Sequence, residues 1–203
     1  MEPKKRRAVP RDDAPRVVCD LLEQRRALSR DELSARFVAK ALGQTTGFLY
    51  HHWGSFDAFL LEVSGIGWQR LVGALVAAYE REPTPLSIPR AYVAFAVAHP
   101  VLYWLCAERP LPVAPVREAL AAGRALPSFA AWTAFASLLE RAAPGTTLAQ
   151  ARALHAAAHG LASQLLSGRL ASTPDAVARG EAEIVDDVCR AIAAAHFPPA
   201  RAR

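Results

Sequence analysis

The chain has 203 residues, 52% of them hydrophobic, and a formal net charge of +5. That is enough apolar material for a real core in one large or two small domains. Three widely spaced cysteines, Cys19, Cys106 and Cys189, exclude a disulfide framework and a metal-binding spacing and fit a reducing cytoplasm. No charge-free apolar run approaches 18 residues, so neither a membrane span nor a secretion signal is expected.

Few segments alternate with period two and β-branched runs are scarce, which predicts an all-α fold. The charge is uneven. Residues 1–56 carry about +4 and the rest about +1, as expected of a chain with a nucleic-acid-binding end. Residues 1–15 are charged and proline-rich, with KKRR at Lys4–Arg7, and read as a disordered basic arm. Such an arm is either a solvated tail or a segment that neutralises phosphates or enters a minor groove. Arg16 to Ala27 reads as the first helix, with Val17, Val18, Leu21 and Leu22 on its buried stripe. Ser29 and Glu32 make a capping-box pattern after it.

Ser34 is placed to cap a second helix, with Leu33 and Val38 at the positions of a hydrophobic staple. Phe37, Val38, Ala41 and Leu42 form its apolar face, and Gly43 follows as a residue that ends helices. Thr45 is placed to cap a short third helix, Thr46 to about His52. Leu49 and Trp53 face inward there; Thr46, Gly47, Tyr50 and His51 face outward; Phe48 and His52 lie at the borders. Two helices joined by a short glycine-containing turn make a helix-turn-helix, whose second helix enters the major groove.

The stretch AKALGQTTGFLYHHWGSFDAFL resembles the DNA-binding signature of the tetracycline-repressor (TetR) family of bacterial regulators. The order of Ala39, Gly43, Gly47, Tyr50, His52, Ser55 and Leu60 carries the resemblance. The chain departs from the family at Trp53, where Phe is usual, at Phe48, where a small residue is usual, and at Phe56. A Lys that touches a phosphate is usual at that last position. The resemblance implies that Thr46, Phe48 and His51 face bases, Phe48 being suited to a thymine methyl. It implies that Thr45, Tyr50 and His52 bind phosphates, with Arg36 and Lys40 adding charge.

Ser55 caps a long helix reaching about Glu80, with Asp57 in its first turn, and Pro83 and Pro85 end it. This divides the chain into the arm (1–15), a helix-turn-helix domain (16–56) and a helical ligand-binding and dimerisation domain (57–203). Further helices are predicted over Ser87–His99, with a bend at His99–Pro100, and over Val116–Gly123 after a proline-rich loop at Leu111–Pro115. Others are predicted over Ser128–Ala142, over Leu148–Ser167 capped by Thr147, and over Pro174–Ala195 capped by Thr173 or Ser172. Pro198 and Pro199 close the fold.

AYVAFAVAHPVLYWLC followed by HAAAHGLASQLLSGRL resembles one C-terminal regulatory domain of the same family. His159 and Gly160 match its later motif, and His155 stands where Trp is usual. The family carries a ligand cavity, which assigns Trp68, Phe95, Tyr103, Trp104, Trp132 and Phe135 to an apolar pocket for a small-molecule effector. His99, His155 and His159 would orient that ligand. The plainer alternative is that these side chains only fill the core. His155 and His159 have the spacing of metal ligands on one helix face but lack a third, so no metal and no cofactor is expected. Leu154, Ala158, Leu161 and Leu165 form one stripe; Ile184, Val188 and Ile192 form another. These helices resemble the pair through which relatives form a homodimer.

The expected partner is double-stranded DNA carrying a palindromic operator, since two helix-turn-helices on a two-fold axis read half-sites about 34–36 Å apart. The expected activity is ligand-released repression. A helical protein–protein adaptor without specific DNA binding is the alternative, although it leaves the basic end unexplained. No Gly-rich phosphate loop, nucleophile elbow or buried acid pair points to an enzyme.

Overall fold

The computed structural model describes residues 8–28 and 32–197. The KKRR run, Ser29 of the expected capping box, and Pro198–Pro199 lie outside the described residues. The fold is all-α; no strand occurs among the described residues. The chain divides into two compact units, Met1–Gln69 with His99–Ala130, and Arg70–Ala98 with Ala131–Arg203. The 16–56 segment lies within the first of these units.

The first unit opens with a 3-10 turn, Arg11–Asp13, that leads into α1, Ala14–Glu23. Residues 8–15 are therefore a folded lead-in rather than part of a disordered arm. Pro15 sits in the first turn of α1, where no N–H is needed, and Val9 N–H donates to the Leu42 carbonyl at 3.0 Å. Gln44 Nε2 donates to the Val9 carbonyl at 2.8 Å. Helix α1 stops four residues earlier than expected. Gln24, Arg25 and Arg26 offer no apolar group to bury, and the Arg25 guanidinium lies 4.9 Å from the Phe37 ring centroid.

Helix α2, Ala35–Leu42, has the predicted ends. Ser34 Oγ accepts from the Phe37 N–H at 3.2 Å, and Leu33 and Val38 are both buried. Gly43 adopts the left-handed conformation, φ 66°, and Gln44 N–H reaches back to the Ala39 carbonyl at 2.9 Å. This closes the helix in a form a Cβ would strain. Helix α3 is Thr46–Trp53. Thr45 has the extended backbone of a cap, but its side chain makes no cap bond, contrary to expectation. Ser55 does cap the next helix, its Oγ accepting from Ala58 N–H at 3.0 Å.

Helix α4, Phe56–Arg81, has 26 residues, about 39 Å at 1.5 Å per residue, and the unit boundary falls inside it. Its length and apolarity would suit a membrane, yet it carries Asp57, Glu62 and Arg70, and Phe59, Val63, Leu71 and Leu75 are buried within the protein. In the first unit its Ser64–Trp68 segment receives α6, Pro100–Tyr103, and the single π-helical turn that follows, Trp104–Glu108. The close approach depends on glycine. A Cβ at Gly67 would collide with Cys106 Sγ and Leu102, and one at Gly65 would stand 2.6 Å from the Pro127 Cβ. Trp68 Nε1 donates to the Cys106 carbonyl at 3.0 Å. Helix α7, Val113–Ala121, starts three residues before its expected position. Pro115 falls in its first turn, where backbone N–H groups have no helical partner anyway. Its Ala119 packs with Leu61 and Leu126.

The second unit holds the later half of α4 with α5, Ser87–Ala98, and the bulk of α8, Pro127–Ala142. It also holds α9, Leu148–Leu166, α10, Pro174–Arg179, and α11, Glu181–His196. Pro89 lies in the first turn of α5, and Thr147 with Gln150 forms a complete capping box on α9. The one long helix expected over Pro174–Ala195 is two. Gly180, with φ 94° and ψ 141°, breaks it in a conformation open to glycine alone. Thr173 does not cap by its side chain, contrary to expectation; its Oγ1 donates to the Leu170 carbonyl at 2.8 Å. Ion pairs from Arg179 to Glu183 and Asp187, and from Arg190 and Arg90 to Asp186, fasten α10, α11 and α5 together.

Candidate functional site

Helix α3 has one buried side and one open side. Leu49 is fully buried, 0% exposed, and Trp53 is half-buried edge-on to Phe59 at 4.9 Å. These two hold the helix down. Thr45, Thr46, Gly47, Tyr50, His51 and His52 are exposed, Tyr50 by 51%. Phe48 is half-buried, its ring edge-on to His52 at 4.7 Å and to Trp53 at 5.9 Å, so it lies at the border of the open face. Arg36 and Lys40 are exposed on α2. Phe56 is half-buried and stacks on Phe59 at 6.4 Å. Asp57 in the first turn of α4 is bound by Arg109 at 2.6 Å. The open face thus offers hydroxyl, imidazole and aromatic groups, a set that suits base edges and phosphate oxygens. One nearby cation was missed by sequence reasoning. The Arg11 guanidinium lies 5.6 Å from the Trp53 ring centroid, a contact across 42 positions that no local pattern announces.

The expected ligand residues fall in both units. In the first, Tyr103 is fully buried and Trp104 partly so. His99, expected to orient a ligand, is instead engaged with α1. Its Nδ1 lies 3.0 Å from the Glu23 carbonyl and its Nε2 3.9 Å from the Glu23 carboxylate. In the second unit a cluster does form. Trp132 and Phe135 on α8 stand 5.5 Å apart, and His155 on α9 meets both edge-on at 6.1 and 6.4 Å. His159 stacks parallel to His155 at 6.1 Å, and Phe95 is buried on α5. Tyr92, also on α5, was not singled out by sequence. It is buried to 1% exposure and its hydroxyl lies 3.3 Å from His155 Nε2. A tyrosine in an apolar run whose hydroxyl must find a partner was the available signal. Burial, and secondarily the charge of His159, lowers the His155 pKa to about 4, so the ring is neutral at pH 7. Among the described residues no group of three or more His, Cys, Asp or Glu is arranged to hold a metal.

The stripes expected to form the dimer interface are spent on the chain's own core. Leu154, Ala158, Leu161, Ile184 and Ile192 are buried in the second unit, and Leu165 and Val188 are half-buried. An apolar helical stripe reports burial, not which surface does the burying. The surface that α9 leaves open includes a small-residue strip, with Ala153 and Ala156 exposed and Gly160 half-buried, flanked by exposed Arg152 and Gln164. Nothing in the chain lies within 4 Å of a Cβ placed on Gly160.

A family model described as tetracyclin repressor-like, C-terminal domain, matches residues 86–188, just over half the chain. No curated protein matches it. Among solved structures, a protein of unknown function from Rhodococcus sp. RHA1 aligns with a TM-score of 0.59 and 22% identity, covering 97% of each chain. A chain described as a candidate regulatory protein, SCO4313, aligns with a TM-score of 0.59 and 16% identity, covering 91% of this chain and 98% of that one. At these identities the likeness is one of fold. The family match spans both halves of the regulatory-domain pattern, from AYVAFA through His159–Gly160. The chain belongs to the tetracycline-repressor-like family of transcriptional regulators.

Proposed function

We propose that the protein is a ligand-responsive DNA-binding transcriptional regulator. It binds a palindromic operator as a homodimer and is released by a small apolar or aromatic ligand. One observation carries this reading: α3 presents Thr46, Gly47, Tyr50, His51 and His52 to solvent while Leu49 anchors it from behind. A helix that served only packing would not leave five of its eight residues and its preceding threonine arranged around an open polar and aromatic face. Thr46, Phe48 and His51 read bases; Thr45, Tyr50 and His52 bind phosphates; Arg36 and Lys40 add charge. The basic run Lys4–Arg7 adds positive charge for the phosphates of the same duplex.

The second copy docks on the open side of α9, around Ala153, Ala156 and Gly160, where the absence of bulk lets helices approach closely. The effector binds in the second unit against Trp132, Phe135 and His159, with the neutral His155–Tyr92 pair as its polar contact. A ligand that prefers a dimer with its recognition helices splayed shifts the population away from the DNA-fitting one; equal affinity for both shifts nothing. Selection of bound duplexes from a random pool tests this. A palindromic consensus is expected, and no enrichment would favour a helical adaptor that binds proteins.

A further inference from the structure

From Ala41 to Gln69 the sequence contains no Lys and no Arg. The recognition helix and its flanks therefore bring no permanent cation to a polyanion, and they include Asp57 and Glu62. His51 and His52 carry charge only when protonated. Duplex DNA is held largely through neutralised phosphates, so the cation at this end of the site must come from elsewhere in the fold.

The neighbouring basic side chains differ in their availability. The charge of Arg109 is met at the start of α4 by Asp57 at 2.6 Å. Arg16 is held by Asp13 at 3.2 Å. The Arg25 guanidinium lies over Phe37. Arg11 is different. Its guanidinium sits over the ring of Trp53, the last residue of the recognition helix, while its side chain remains 53% exposed. Its carboxylate partner at 2.8 Å is Asp12, the adjacent residue, itself 87% exposed. So weak a surface pair is readily exchanged for a phosphate. The position is built rather than incidental. Two residues before Arg11, Val9 is fixed on both sides, its N–H to the Leu42 carbonyl and its carbonyl to Gln44 Nε2, and both partners border the turn that launches α3. An arginine stacked on an indole keeps its planar edge free for oxygen acceptors. The C-terminal end of α3, where the helix dipole disfavours an approaching anion, is where that charge has most effect.

We propose that Arg11, carried on the face of Trp53, is a phosphate-binding residue that supplies the fixed positive charge the recognition helix lacks. This rests on the DNA-binding reading above. The test compares wild type, Arg11→Gln and Arg11→Lys in the full chain by fluorescence anisotropy. Each is titrated with a random-sequence duplex and with the duplex recovered by selection, from 50 to 200 mM salt. Working at pH 8 keeps imidazole charge out of the slope. Arg11→Gln is expected to weaken both duplexes by the same factor and to flatten the log–log salt slope by about 0.9 per protomer. The gap to wild type then narrows about 3.5-fold per protomer between 50 and 200 mM. Arg11→Lys keeps the slope, because charge and not shape sets it. A steep wild-type slope left unchanged in Arg11→Gln overturns the proposal. So does an Arg11→Lys variant as flat as Arg11→Gln, which would make the guanidinium a packing group for Trp53; this arm also decides the matter if Arg11→Gln folds poorly. A wild type with no salt dependence at all removes the DNA-binding reading itself and this residue's role with it.

Discussion

His155 makes the stability of the second unit depend on acid in a way that can be calculated in advance. Its ring sits among Trp132, Phe135 and Tyr92, and His159 stacks beside it at 6.1 Å. In the folded chain its pKa falls from 6.5 to about 4, first because burial penalises the charged ring and second because His159 repels it. The unfolded chain takes up that proton near pH 6.5 and the native chain only near 4, so the unfolded state binds more protons throughout that window. Stability therefore rises with pH across it and is lost as pH falls. The loss amounts to about 2 kcal/mol by pH 5 and approaches about 3 kcal/mol below pH 4. Other groups titrate there too, but a difference between two variants isolates this one. Urea denaturation of wild type and His155→Gln at pH 7.5 and pH 5 gives four unfolding free energies. The wild type should lose about 2 kcal/mol more than the variant on acidification. Equal losses would mean that the ring is hydrated or already charged in the native state, and the account of the cluster as a dry, neutral site would fail.

Other outcomes follow from single contacts. Gly67→Ala should destabilise by about 1–3 kcal/mol, the collision with Cys106 outweighing the better helix propensity of alanine. Gly73→Ala, on the same helix with nothing within 4 Å, should stabilise by up to about 1 kcal/mol. Thermal melts of the pair check the glycine notch, and a stabilised Gly67→Ala would refute it. Leu49→Ala should cost about 2–5 kcal/mol and abolish DNA binding, because it removes the only fully buried side chain under α3. His51→Ala should cost about 1–3 kcal/mol on the selected duplex and little on random DNA; equal losses on both would reassign His51 to the backbone. Ala156→Arg should convert a dimer to a monomer in sedimentation experiments, whereas Leu161→Ala should lower stability and leave the mass unchanged.

What could be read from the sequence is what short-range rules govern. Ser34, Gly43 and Ser55 each settle a helix end through a bond or a backbone angle within a few residues, and all three act as expected. Thr45 and Thr173 look equivalent in sequence to the threonine and serines that cap, but neither makes a side-chain cap bond, and the Thr173 hydroxyl donates to the Leu170 carbonyl instead. Gly180 was passed over because an isolated glycine costs an amphipathic helix only about 1 kcal/mol, too little to decide between a helix and a break. The stripes on α9 and α11 were correctly apolar yet ambiguous, since burial by one's own chain and burial by a partner select the same residues. Arg11 over Trp53 and Tyr92 against His155 join positions 42 and 63 residues apart, where periodicity carries no information.

The division of labour that results has a consequence for how such a protein would tell one site from another. Affinity for any duplex is set by cations, because phosphates are the same everywhere. Affinity for one duplex is set by uncharged contacts with base edges, which work only at short range. Where both sit on one helix, strengthening either disturbs the other. On the DNA-binding function proposed above, the helix from Thr46 to Trp53 would read bases without a permanent charge, and the cations would stand on its supports, Arg11 before α1 and Arg36 and Lys40 on α2. Substitutions on the helix face would then change which sequence is preferred at nearly constant background affinity, and substitutions on the supports would change the background at nearly constant preference. Short-range contacts demand a helix that does not wander. The buried Leu49, the capped and glycine-closed ends of α2, the Ser55 cap and the Arg109–Asp57 pair all restrain its position from different sides. On the proposed function, rigidity of the scaffold is therefore a condition of recognition by a helix without long-range attraction.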